Sequence, residues 1–193
     1  TRVRSSAASD VYKRQAVNAS RQQVLADYQP SLKLTGDAAR GQAVFRRECA
    51  TCHKVGDLGR PVGPDLTSSA ARDSETLLVH ILDPNRNVLP NFVQYQVADR
   101  DGRIYNGLLS AQSDTTITLQ RDEGKSDTIL RANVEQIVAT GKSLMPEGLE
   151  TKVTKPEMAD LIAFLQSSQT GPTATERPLD VGQEIPPGVK LDR

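Results

Sequence analysis

Tryptophan is absent from this chain, and only three phenylalanines and four tyrosines are spread over its 193 residues. With a hydrophobic share of 37%, so few large side chains make a thin core, which a buried prosthetic group would help to fill. An excess of positive charge is missing too, since 24 Lys and Arg offset 24 Asp and Glu. A balanced chain is poorly equipped to neutralise phosphates, so neither nucleic acid nor an anionic membrane is expected as a partner. No run of residues approaches the roughly 18 to 20 apolar positions that cross a bilayer, so no membrane span is expected. Cysteine, methionine and histidine occur only twice each, so each can be weighed individually.

Residues 1–15, TRVRSSAASDVYKRQ, do not read as part of a fold. Ser5–Gln15 is what a widely used transposase sequencing-adapter string encodes. Residues 1–15 are therefore expected to be a translated library artefact, to be set aside as an engineered scar would be. On that reading the natural protein begins upstream of Ala16 and is larger. The alternative is a genuine disordered arm, against which an eleven-residue match stands.

Residues 16–35 read as a short helical extension ending near Pro30, with Val24, Leu25 and Tyr28 as its apolar stripe. In GDAARGQAVFRRECATCH, Asp37 is placed as an N-cap and Val44 and Phe45 point inward. A Gly/Pro-rich loop follows, from Gly56 to Ser69. ARDSETLLVHILDPN then reads as a helix with Leu77, Leu78, Ile81 and Leu82 inward, stopped before Pro84. From about residue 91 to 140 short runs alternate apolar and polar, separated by turn signals at Asp101-Gly102, Ser113-Asp114 and Glu123-Gly124. Four or five strands in so short a stretch predict a small antiparallel barrel or meander. Helix returns within residues 141–168: Thr154-Lys155-Pro156-Glu157 is a capping box, followed by Met158, Leu161, Ile162 and Leu165 at helical spacing. Residues 169–193 are Pro- and Gly-rich and read as a tail or linker.

Both cysteines lie in Cys49-Ala50-Thr51-Cys52-His53. Positions three and four apart share a helix face, so Cys49 and Cys52 can both reach the two vinyl groups on one edge of a porphyrin. His53, one residue on, can turn its imidazole toward the iron. The C-x-x-C-H string is read as c-type haem attachment. A thioredoxin-like pair would need a βαβ setting, a structural zinc site more ligands than His80 alone can add, and a plain disulfide would leave His53 without a purpose.

For the other side of the iron there are two methionines. Met158 falls on the apolar stripe of the last helix and reads as core. Met145 lies in the irregular GKSLMPEGL, braced by Pro146 and flanked by Gly141 and Gly148, as a thioether ligand would need. The plainer alternative is a loop methionine covering the strands. His80, off the stripe of its helix, reads as a surface or boundary histidine. In Gly63-Pro64-Asp65-Leu66 the Pro64 carbonyl is a candidate acceptor for the second ring N–H of His53, or the segment is simply a turn.

Taken together, GDAARGQAVFRRECATCH, VGPDL, SLMPEGL and KPEMADLIAFLQS resemble the first helix and haem motif, proline loop, methionine loop and last helix of class I cytochrome c. With ILDPNR before the strands and SLMPEGL after them, residues 24–168 resemble the planctomycete–verrucomicrobial family of haem-binding CxxCH domains. That resemblance implies an α+β chain: a mainly α cytochrome c fold in two parts, 36–90 and 141–168, around one covalent haem c, with the β-rich 91–140 inserted between them. The first and last helices would cross, with Gly41 and Phe45 against Leu161 and Phe164. DGRIYNGLL…TTITL…ILRANVEQI is also similar to small Sm-like or SH3-like barrels. The helical pieces of the two cytochrome c parts, residues 36–86 and 141–168, come to about eighty residues together and would be marginal without a haem at their centre.

The implied function is one-electron transfer through a haem ligated by His53 and Met145. A soft, neutral thioether favours reduced iron and raises the potential. Two other readings stay open: a haem enzyme or gas sensor with a labile sixth ligand, and a binding module stapled by its haem. No catalytic site is discerned. The family setting implies a redox partner protein, or an upstream dehydrogenase or propeller domain of the same chain that oxidises a sugar or alcohol. Covalent haem is attached outside the cytoplasm, so the expected compartment is periplasmic or extracellular.

Overall fold

A computed structural model of the chain describes residues 19–68 and 72–167. Residues 1–15, read above as adapter-derived, and the tail from residue 169 lie outside them. Helix α1 covers residues 19–28 and runs into a 3-10 turn, Gln29–Lys33, with Pro30 in its first turn. Leu25 is buried, with Val24 and Tyr28 packed against the same cluster. The Tyr28 hydroxyl lies 2.8 Å from the Glu150 carbonyl and 2.7 Å from that of Val153. Arg21 pairs with Glu150 at 2.8 Å and donates to the Leu82 carbonyl. Burial and side-chain hydrogen bonding thus seat α1 on the segment that follows the Met145 loop.

Helix α2 spans Ala38–Glu48, and Asp37 caps it by accepting from the Arg40 N–H at 2.9 Å. Helix α3 spans Ser74–Leu82 with Asp73 as its cap. Leu77, Leu78, Ile81 and Leu82 are all buried. Helix α4 spans Lys155–Ser167. Ahead of it the Thr154 N–H donates to the Glu157 carboxylate at 2.8 Å and the Glu157 N–H to the Thr154 hydroxyl at 3.4 Å, closing the capping box. Helices α2 and α4 cross where α2 has no side chain to hold them apart. A Cβ on Gly41 would lie 1.9 Å from the Asp160 carbonyl oxygen, and one on Gly36 2.2 Å from that of Ala159. Beside the crossing the Phe45 and Phe164 rings meet at 5.4 Å. Met158 and Leu161 are fully enclosed in the cluster these helices share.

Asp160 adds a polar tie to the same crossing. It is only 5% exposed, and its carboxylate accepts from the Asp37 N–H at 2.7 Å and from the Arg40 guanidinium at 2.7 and 2.9 Å. The hydrogen bond from Arg40 holds the Asp160 carboxyl below the usual aspartate range, against the opposing pull of burial. A lowered native value means the contribution to stability is complete above the ordinary value of 3.8 and is lost as the pH falls through the lower native one. Arg40 itself is largely in solvent, which screens the pair. Asp160→Asn is therefore expected to cost only about 1–2 kcal/mol at neutral pH, with the melting temperatures of variant and wild type converging on acidification. Equal melting temperatures at neutral pH would remove Asp160 from this role.

Between α3 and α4 lies a five-stranded antiparallel sheet of β3 (Val93–Asp99), β4 (Ile104–Gln112), β5 (Thr116–Gln120), β6 (Ser126–Leu130) and β7 (Val134–Ser143). A separate two-residue hairpin, β1 (Lys54–Val55) with β2 (Leu58–Gly59), precedes α3. The sheet order is β6-β5-β4-β3-β7. Period-2 alternation sends Val97, Ile117, Leu119 and Ile129 to one face, with Tyr95, Tyr105, Leu109 and Val134 packed around them. The first four strands are a meander, as expected, but the barrel reading is overturned: β6 and β7 are the two free edges, and the sheet does not close. β6 pairs with β5 and β7 with β3, with no ladder between β6 and β7 themselves, and the short Arg131–Asn133 turn joins the two. Its Arg131 N–H donates to Thr115, and its Asn133 carbonyl accepts from the Arg100 N–H. The chain is thus carried from one edge to the far side of β3. Strand β7 pairs there, from Val134 beside Asp99 to Ser143 beside Val93.

Candidate haem site

Helix α2 ends at Cys49, whose N–H still donates to Phe45 at 2.8 Å. The chain then closes on itself: the Cys52 and His53 N–H groups both donate to the Cys49 carbonyl, at 3.1 and 2.8 Å. The two thiols and the imidazole are half-buried within one tight turn. Next, the β1–β2 hairpin reverses the chain at Gly59, which has φ +83° and sits so close that a Cβ would lie 2.0 Å from the His53 carbonyl oxygen. Only glycine suits that position. Beyond it the proline loop is laced back onto the motif. Arg60 donates to His53, Val62 and Gly63 both donate to Cys52, and Leu66 donates to Lys54.

The outcome of this lacing is the position of one ring. His53 Nδ1 lies 2.8 Å from the Pro64 carbonyl oxygen. A carbonyl can only accept, so Nδ1 carries the proton and the Nε2 lone pair is left available. Among the described residues the ring makes no other hydrogen bond. Gly63 packs directly on the imidazole, and a Cβ there would come within 2.7 Å of Cε1. Burial lowers the His53 pKa, with the Pro64 hydrogen bond pulling the other way, a shift toward the neutral form in which imidazole binds a metal.

The thiols bear on the alternatives. Cys49 and Cys52 are both free, which disposes of a disulfide in this state. Burial, reinforced by Glu48 and Cys52, pushes the Cys49 thiol up to about 12, whereas redox-active dithiols need a lowered value. Among the described residues no three or more of His, Cys, Asp and Glu gather to hold a metal ion, so a zinc site lacks ligands. Two free thiols, a fixed neutral imidazole with a free lone pair, and Leu58 and Leu66 packed against the same cluster as Cys49 fit a thioether-linked porphyrin.

Cys49, Cys52, His53 and Pro64 therefore come together. Met145 stands elsewhere, half-buried in a bend just beyond β7, where its N–H donates to the Ser143 hydroxyl at 3.1 Å. Gly141 and Gly148 on either side of it have φ +69° and +95°. His80 is exposed on α3 and Met158 is enclosed in the core of α4. Three features of the site escaped the sequence reading: the contact of Gly63 with the ring, the β1–β2 hairpin, and the reach of Asn85 to the Met145 loop. Only the adjacent Gly63-Pro64 pair hinted at the first.

Residues 36–103, about a third of the chain, match the family described as cytochrome c oxidase, cbb3-type, subunit III. A cytochrome c-553-like protein of Synechocystis sp. is 41% identical over 49 residues, which cover 25% of this chain and 46% of that protein. Both similarities support a class I cytochrome c domain. A cytochrome c domain implies a haem c cofactor and haem-based electron transfer to partners. The chain spans about half the length of the curated relative it matches. Among the described residues, no helix is long and apolar enough to cross a membrane.

Proposed function

We propose that this chain carries one covalent haem c on Cys49 and Cys52, with His53 and Met145 as axial ligands to iron, and works as a one-electron transfer domain. The observation that supports this most is the His53 ring, pinned through Nδ1 to Pro64 with its other nitrogen left free. When bound, the haem supplies a reversible one-electron couple. The residues supply the rest. The Pro64 carbonyl fixes the His53 tautomer and makes the ring a better donor. Met145, as a soft neutral ligand, favours the reduced state. With His53 and Met145 both holding the iron, no substrate would need to reach it.

The wider setting belongs to the same proposal. The electron donor is a dehydrogenase or propeller module, upstream in one polypeptide or a separate protein. The β-containing arrangement is that of the planctomycete–verrucomicrobial CxxCH family, and the compartment is periplasmic or extracellular. The ligand assignment is tested on matured protein by Met145→Ala. The variant is expected to lose the iron–sulfur charge-transfer band, to bind carbon monoxide when ferrous and to have a lower potential. An unchanged band would remove Met145 from the iron. Ready carbon monoxide binding by ferrous wild type would instead favour a sensor or enzyme.

A further inference from the structure

Pro84 ends α3, and the turn that follows, in which the Arg86 N–H donates to Asp83, turns the Asn85 side chain toward the segment beyond β7. The Asn85 carboxamide makes two hydrogen bonds there. Its Oδ1 accepts from the Ser143 N–H at 2.8 Å, and its Nδ2 donates to the Glu147 carboxylate at 2.5 Å. These partners lie two residues before and two residues after Met145. Inside the span, the Met145 N–H donates to the Ser143 hydroxyl. One planar group therefore ties both limbs of the loop that carries Met145. Such a bridge needs a donor and an acceptor on the same short side chain, as asparagine has and aspartate has not. The residue is 58 positions away from Ser143 in sequence, so the tie also joins the end of α3 to the exit of the sheet.

We propose that Asn85 is a positioning residue for the Met145 thioether: its carboxamide keeps the 143–147 loop closed and so governs how readily an outside ligand replaces Met145. This rests on the reading of Met145 as iron ligand. The two hydrogen bonds do not touch the iron or the thioether, so their loss weakens the loop and leaves the ligand itself in place.

The test is a spectrophotometric titration of the ferric holoprotein with free imidazole, following the iron–sulfur band. Asn85→Ala is expected to keep that band at rest and to bind imidazole roughly tenfold more tightly, the combined worth of the two solvent-accessible hydrogen bonds lost from the closed loop. Amide exchange at the Ser143 and Met145 N–H groups should quicken in the same variant. The paired change Asn85→Asp with Glu147→Gln exchanges donor and acceptor, rebuilds both hydrogen bonds and is expected to return imidazole affinity toward wild type. A general loosening of the fold would not be repaired by that pair. If Asn85→Ala binds imidazole like wild type while Met145→Ala abolishes the band, the positioning role is overturned and the ligand assignment stands. If Met145→Ala keeps the band, the ligand assignment falls and the Asn85 proposal goes with it.

Discussion

Matured with Cys49 and Cys52 both changed to alanine, the protein is expected to emerge with no haem that survives denaturation. Each thiol can add across one vinyl group, and Cys49 and Cys52 are the two cysteines in the chain. Cys49→Ala or Cys52→Ala alone should retain a single thioether, recognisable by the red-shifted absorption of its pyridine adduct. Haem staining after denaturing electrophoresis distinguishes the cases: full signal in wild type, reduced in either single variant, none in the double. Covalent haem persisting in the double variant would sink the assignment. A second consequence should follow in stability, because Cys49 packs against the cluster built by Phe45, Leu161 and Phe164. A group that binds the folded chain and not the unfolded one stabilises it by mass action, and covalent attachment makes that gain independent of concentration. The double variant should melt well below wild type, with a broader transition.

Gly41→Leu is expected to prevent α2 and α4 from docking at all. Even the first carbon of a side chain would meet the Asp160 carbonyl at 1.9 Å and the Phe164 Cβ at 2.8 Å. Both obstacles sit on or next to the α4 backbone, which cannot yield without moving the helix. Gly41→Ala alone should cost more than about 3 kcal/mol, beyond ordinary overpacking because backbone is in the way. Against a total stability of roughly 5–15 kcal/mol, the leucine variant would have little left. Circular dichroism during urea unfolding checks both substitutions. An alanine variant that unfolds at the wild-type urea concentration would mean that the helices do not cross here.

Much of this was legible in the residues, and the reasons differ by element. Helix starts announce themselves through short polar side chains that bond the nearby backbone, so Asp37 and Thr154 could be placed by eye. The Asp101-Gly102, Ser113-Asp114 and Glu123-Gly124 turns likewise carry their own local chemistry, and each separates two strands of the sheet. Partnership between strands carries no such mark. Nothing in Val134–Ser143 says that it pairs with Val93–Asp99 alone, when a second ladder to Ser126–Leu130 is what a closed barrel would have needed. The burial of Asp160 carried no local mark either, and becomes intelligible only once the Asp37 N–H and Arg40 are seen converging on it. At the candidate site, the CxxCH string names its residues outright, whereas the Asn85 clasp depends on two loops meeting far apart in sequence.

The pairing of Val93 with Ser143 also bears on how the chain finds its fold. Residues in directly opposed positions of an antiparallel ladder have Cα atoms about 4.5–5.5 Å apart, so fifty residues of excursion leave and return at nearly one point. Closing a flexible loop costs more the longer it is, and α2 must find α4 across more than a hundred positions. Once the hairpins have formed, the span to be closed is shorter by about the fifty residues of that excursion. By the same geometry, α2 and α4 could exchange this appendage for a tight turn, or accept another in its place, with little change to their own meeting.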